Sequence, residues 1–209
     1  VEHFNNPGIT ANDAFKPVTR YFDRITRPEQ IIQSFPVAVQ TMLDPADCGP
    51  ACISLCQDIQ GQTFDYPEEF FKEKVHAIRR PRPDEFQIKE AAEKIKSSKK
   101  PILISGGGVF YSDAMEELSK FAIKHNIPVT QTVMGYSTMK RDHSHYAGQI
   151  GGLGGKNTNS LAKQTDLAIA VGTKLGDFTT GSWANFENEN FKLVSINVSR
   201  FDANKHLAQ

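Results

Sequence analysis

Glycine clusters are the residues best suited to chemistry in this chain. Ser105-Gly106-Gly107-Gly108-Val109-Phe110 follows an apolar run and precedes a helix-like pattern. Glycines at such a turn let the backbone approach a phosphate without Cβ interference, and a helix N-terminus turns its N–H groups toward an anion. The stretch fits neither GxGxxG nor the lysine-bearing P-loop. A tight strand-to-helix turn that holds nothing therefore stands beside the nucleotide reading. Gly148, Gly151, Gly152, Gly154 and Gly155 crowd a second loop, suited to close backbone contact or to surface flexibility. Gly172-Thr173 and Gly181-Ser182-Trp183 follow another apolar run and are placed to line the same crevice, with Trp183 either covering a ligand ring or packing.

Other reactive types form no constellation. His143 and His145 make an H-x-H, but Lys140-Arg141-Asp142-His143-Ser144-His145 has the polarity of an exposed loop and offers no third ligand. Cys48, Cys52 and Cys56 lie four apart, which is no CxxC knuckle; the last two read as core thiols of a buried strand in a reducing compartment. No Ser-His-Asp or Cys-His arrangement is marked by spacing.

The elements that position these residues follow from periodicity. Residues 1–25 read as irregular. Pro28 and Glu29 open a helix with Ile31, Ile32, Phe35 and Val39 on one face, a loop fills 44–50, and a strand covers 51–56. A short helix is expected from Pro67 to about Val75. Arg79-Arg80-Pro81-Arg82-Pro83 excludes helix and reads as a linker. Beyond it strands and helices alternate: helix 85–97 with Ile88, Ala91, Ala92 and Ile95 inward, strand 102–104, helix 113–125 capped by Ser112, strand 127–133, helix 157–164, strand 167–171 and strand 193–198. Continuous apolar strands separated by helices imply an α/β fold with a parallel sheet covered on both faces.

Composition narrows the function classes. The 209 residues carry 24 basic and 24 acidic side chains, so no basic excess exists to neutralise nucleic-acid phosphates. Hydrophobic residues make up 39 %, enough for a packed core. No apolar run reaches the ~20 residues of a membrane span, and Val1-Glu2-His3-Phe4 lacks a signal-peptide pattern, so a cytoplasmic protein is expected.

The second half resembles the Rossmann-like central domain of thiamine-diphosphate-dependent enzymes, the group of acetolactate synthase and pyruvate oxidase. Lys100-Pro101-Ile102-Leu103-Ile104-Ser105-Gly106-Gly107-Gly108-Val109, Asn126-Ile127-Pro128-Val129-Thr130, Asp166 to Leu175 and Val194-Ser195-Ile196-Asn197-Val198 follow in that family's order. The first half is similar to the end of its pyrimidine-binding domain: Asn12-Asp13-Ala14-Phe15-Lys16-Pro17-Val18 matches the family's D-A-F-Q-E segment near the active site, with Lys16 for Gln and Pro17 for Glu. The resemblance thus implies domains at 1–76 and 85–209 joined by a linker at 77–84, with Phe15 and Lys16 facing the active site. Gly106, Gly107, Gly108, Gly172 and Thr173 would form a vestigial nucleotide crevice.

Arg20-Tyr21-Phe22-Asp23-Arg24-Ile25, Leu43-Asp44-Pro45-Ala46-Asp47 and Asp177-Phe178-Thr179-Thr180-Gly181-Ser182-Trp183 bring the resemblance nearest to one branch of the family. That branch opens the ring of a trihydroxycyclohexane-1,2-dione by carbon–carbon hydrolysis in myo-inositol catabolism. The family's cofactors are thiamine diphosphate and Mg²⁺. Its cofactor-activating glutamate and its G-D-G…N metal motif are not found here; Gly176-Asp177-Phe178 is no G-D-G. The expectation is therefore an internal stretch of a longer homo-oligomeric hydrolase, inactive alone and holding neither catalytic nor metal residues. FAD is disfavoured, because Asn197 stands where FAD-binding relatives commonly carry Asp. A carboligase or decarboxylase of the acetolactate synthase type, or a non-catalytic nucleotide-binding module, are the alternatives.

Overall fold

The structure is a computed structural model that describes residues 4–205. The chain divides into two compact units, Val1–Arg80 and Pro81–Gln209.

In the first unit, β1 (Tyr21–Ile25) pairs in parallel with β2 (Ala51–Leu55), from Tyr21 opposite Ala51 to Ile25 opposite Leu55. Parallel neighbours need a crossover, and α1 (Ile31–Leu43) supplies it. It starts behind a 3₁₀ turn, Pro28–Gln30, where the Gln30 side-chain oxygen accepts from the amides of Thr26 at 2.6 Å and Arg27 at 2.8 Å. The short α2 (Gln57–Gln60) follows β2.

Several expectations are corrected in this unit. Residues 1–25 are not all irregular: a 3₁₀ helix covers Ala11–Val18 and β1 follows. The charges of Asp23 and Arg24 concealed that strand. Helix α1 buries Ser34 and Ala38, whereas Phe35 is 51 % exposed. Small side chains let the helix lie close over the sheet, and Ser34 Oγ meets Tyr21 Oη at 3.0 Å. Cys52 and Cys56 are only half-buried and Cys48 is exposed; among the described residues β2 pairs with β1 alone. The helix expected up to Val75 is one 3₁₀ turn, Glu68–Phe71, held by aromatic contacts among Tyr66, Phe70 and Phe71.

The second unit opens with α3 (Glu85–Ser97), whose first turn is capped by Asp84 Oδ1 accepting from the Gln87 amide at 2.8 Å. Then come β3 (Pro101–Ser105), α4 (Gly107–Tyr111), α5 (Met115–His125), β4 (Val129–Gln131) and β5 (Tyr146–Gln149). They are followed by α6 (Lys156–Gln164), β6 (Leu167–Val171), α7 (Asp177–Thr180), β7 (Lys192–Ile196) and α8 (Arg200–Asn204). Among the described residues the five strands form one parallel sheet in the order β5-β4-β3-β6-β7. The expected parallel-sheet α/β, Rossmann-like class is what the structure shows. Alternation along the strands feeds two cores: Leu103, Val129, Leu167 and Ile169 pack with Leu118 and Ala122 of α5, and Ile102, Ile104, Ala168 and Ala170 pack with Ala162 of α6.

Differences are local. Ile88 is 54 % exposed, because only Ala91 and Ile95 of α3 reach the core. Ser112 ends α4 rather than capping α5, since Asp113 takes φ +53° and delays the helix to Met115. β4 stops at Gln131, where the Thr132 hydroxyl accepts from the Gly135 amide at 3.0 Å and starts a turn. β5 was not anticipated; Gly148, at φ +101°, made it look like loop.

Asp166 ties the entry of β6 to the entry of β3. Its carboxylate accepts from Ser98 Oγ, from the Lys99 amide at 2.7 Å and from the Lys100 amide at 3.0 Å. Burial pushes its pKa up, but those hydrogen bonds outweigh burial and hold it below the ordinary carboxylate value. A depressed folded-state pKa means that this stabilisation is complete above the unfolded pKa of about 3.9 and fades as pH falls through the lower folded value. Asp166→Asn is expected to cost about 1–2 kcal/mol at pH 7. In urea unfolding of both proteins, that gap should shrink toward pH 2; a constant gap would refute the linkage.

Candidate functional site

The strand order reverses between β3 and β6, and ligands of open α/β sheets settle at the carboxyl side of such a reversal. The loops leaving β3, β4 and β6 meet there. Gly106, Gly107, Gly108, Gly172 and Thr173 are all brought to it, but Gly106 and Gly108 close on Gly172 and Thr173, while Gly107 faces Met134. The Gly106 amide donates to Val171 O and the Gly108 amide to Gly172 O, both at 2.9 Å. The Gly172 amide donates to Ile196 O at 2.8 Å, and Asn197 Nδ2 to Thr173 O at 3.1 Å. A Cβ on Gly106 would lie 2.3 Å from Gly172 O, and one on Gly108 2.6 Å from Gly172 Cα. A Cβ on Gly135, in the turn after β4, would lie 2.0 Å from Ser105 O. Glycine is needed here for backbone-to-backbone contact, and the amides of Gly106, Gly108 and Gly172 are spent on main-chain carbonyls.

The second glycine cluster is also knitted. The Gly151 amide donates to Asn159 Oδ1 at 2.9 Å, Asn159 Nδ2 returns to Gly151 O at 3.0 Å, and the Gly152 amide donates to Phe178 O at 2.7 Å. Trp183 is half-buried, packed on the core beside Phe186 at 5.6 Å between ring centres. His143 Nε2 lies 2.9 Å from Ser119 Oγ, and His145 Nε2 3.1 Å from Asn126 Oδ1. Among the described residues no group of three or more His, Cys, Asp or Glu could hold a metal ion.

In the first unit, Phe15 and Lys16 lie on the 3₁₀ helix Ala11–Val18. Phe15 is 51 % exposed. Lys16 Nζ is 2.7 Å from Asp13 Oδ1 and 5.3 Å from the centre of the Phe22 ring. The hydrogen bond from Lys16, and after it that from the Thr10 amide, holds the Asp13 carboxyl below its ordinary range. At the carboxyl ends of β1 and β2 a polar pocket of about 440 Å³ is lined by Asn12, Arg24, Thr26, Ser54, Cys56 and Asp58, among others. Arg24 Nε donates to Cys56 Sγ across it at 3.4 Å. Sequence reasoning missed this pocket because it missed β1; the Arg24-Ile25-Thr26 strand end was the available signal.

Comparison with known proteins bears on both units. Residues 88–209 match the family described as thiamine pyrophosphate enzyme, central domain. A 3D-(3,5/4)-trihydroxycyclohexane-1,2-dione hydrolase of Clostridium botulinum (strain Alaska E43 / Type E3) is 48 % identical over 205 residues, covering 98 % of this chain and 32 % of its own length. Proteins of the same name from Clostridium perfringens (strain 13 / Type A) and Bacillus licheniformis are 47 % and 45 % identical over the same shares. The chain thus spans about a third of the length of the curated relatives it matches.

Proposed function

The chain belongs to the thiamine pyrophosphate enzyme family, and from that premise we propose that it forms part of a hydrolase that opens the ring of a trihydroxycyclohexane-1,2-dione. One observation carries this reading: the 48 % identity to a hydrolase of that name runs through both units rather than the central domain alone. Ring opening breaks the bond between the two carbonyl carbons; the hydroxyl of water joins one, making a carboxylic acid, and its hydrogen the other, making an aldehyde, in one open chain. Lys16 suits such a substrate, since its ammonium can pair with a dione oxygen or the product carboxylate.

Thiamine diphosphate is the family's cofactor, with Mg²⁺ the proposed metal. The glycine junction does not fit a diphosphate, because the amides of Gly106, Gly108 and Gly172 are already bonded to main-chain carbonyls. The central unit is better suited to a scaffolding role, and cofactor binding is assigned to parts of the enzyme beyond these 209 residues. A homo-oligomer working in the cytoplasm fits this reading; no described helix is long and apolar enough to cross a membrane.

The test is an assay of the complete gene product with thiamine diphosphate and Mg²⁺. Consumption of the cyclic dione with release of one equivalent of acid is expected. Acetolactate formation from pyruvate, with the dione untouched, would replace the hydrolase by a carboligase.

A further inference from the structure

A parallel sheet ordinarily buries both faces in apolar contact, so polar side chains standing on one face call for a reason. In the first unit, Tyr21 Oη meets Ser34 Oγ, which puts α1 over the Tyr21 face of β1. Alternation turns Phe22 and Arg24 to the opposite face, and the strand register sets Ser54 of β2 beside Arg24. The 3₁₀ helix Ala11–Val18 covers that face at Phe22, where the Lys16 ammonium lies over the ring. Toward the carboxyl ends of the strands the polar pocket of about 440 Å³ opens instead. Carboxyl ends of parallel strands are where ligands of α/β sheets settle.

The lining has two chemistries. Arg24 is half-buried, and its guanidinium is kept in place by the 3.4 Å hydrogen bond from Nε to Cys56 Sγ. Ser54 and Asn12, also half-buried, add a hydroxyl and an amide whose side-chain atoms make no hydrogen bond among the described residues. A positive charge with a hydroxyl and an amide beside it is a donor set for a carboxylate. Gln57 and Asp58 line the pocket with exposed side chains that likewise make no hydrogen bond among the described residues. Their oxygens accept from hydroxyl groups, and the Asp58 charge opposes any anion that carries more than one negative charge.

We propose that this pocket binds a small polyhydroxy carboxylate, with the carboxylate at Arg24, Ser54 and Asn12 and the hydroxyls at Gln57 and Asp58. The site is independent of the hydrolase reading, since its lining alone defines the ligand.

Calorimetric titration of the complete gene product with D-gluconate tests this. Saturable binding with a Kd of about 1 mM or tighter is expected. Ser54→Ala should weaken it about tenfold and Arg24→Gln about thirtyfold, as expected for lost hydrogen bonds to a charged group. D-Glucitol, the same skeleton without the carboxylate, and inorganic phosphate should each bind at least about tenfold more weakly than gluconate. Arg24→Gln also gives up the bond to Cys56, so Ser54→Ala is the deciding variant: its hydroxyl bonds nothing in the described fold, and its urea midpoint should match that of the unaltered protein. Absence of saturable binding up to about 50 mM gluconate overturns the proposal. An affinity unchanged in Ser54→Ala puts the gluconate elsewhere and overturns it too, and glucitol binding as tightly as gluconate removes the carboxylate from it.

Discussion

Gly172→Ala is expected to destabilise the central unit by about 3 kcal/mol or more. Gly172 sits at φ +59°, where a Cβ costs roughly 1–2 kcal/mol. The added methyl would also lie 2.6 Å from Gly108 Cα and 2.8 Å from the Val109 amide nitrogen. Those atoms are main chain at the start of α4, bound by the 2.9 Å hydrogen bond from the Gly108 amide to Gly172 O. They cannot swing aside as a flexible side chain would, so overpacking adds about 1–3 kcal/mol. Gly176 is the internal control: it lies four residues on, with φ −67° and nothing within 4 Å of a built Cβ. Gly176→Ala should leave stability within about 0.5 kcal/mol. Urea unfolding followed by the fluorescence of Trp183, the single tryptophan and a core neighbour in this unit, reads both variants. Equal midpoints for Gly172→Ala and the unaltered chain would show that the junction is looser than described.

Legibility in the sequence tracked the strength of local signals. β3 and β6 announced themselves as continuous apolar runs because both faces are covered, and α3 because Ile88, Ala91, Ala92 and Ile95 recur at helical spacing. β1 hid behind Asp23 and Arg24, and β5 behind a glycine whose positive φ has no counterpart in composition. The glycines of the junction were visible as a cluster, but their purpose was not. Glycine runs that cradle a phosphate and glycine runs that let two backbones touch read alike along the chain. Only the three-dimensional meeting of Gly106, Gly108, Gly135 and Gly172 separates the two. The setting of Lys16 depended likewise on Phe22 of β1, which is brought beside it by folding rather than by any pattern.

That distinction decides what the central unit does. With its amides engaged between β3, β6 and β7, the carboxyl side of the sheet is expected to accept no nucleotide, and the chain alone to hold no thiamine diphosphate. Isothermal titration calorimetry of the 209-residue chain with ADP, with FAD, and with thiamine diphosphate plus Mg²⁺ tests this most directly. Affinities no tighter than about 1 mM are predicted for all three. Saturable binding of ADP or FAD at about 1 μM, abolished by Gly106→Val, would contradict the closed junction and make this unit a nucleotide-binding module instead.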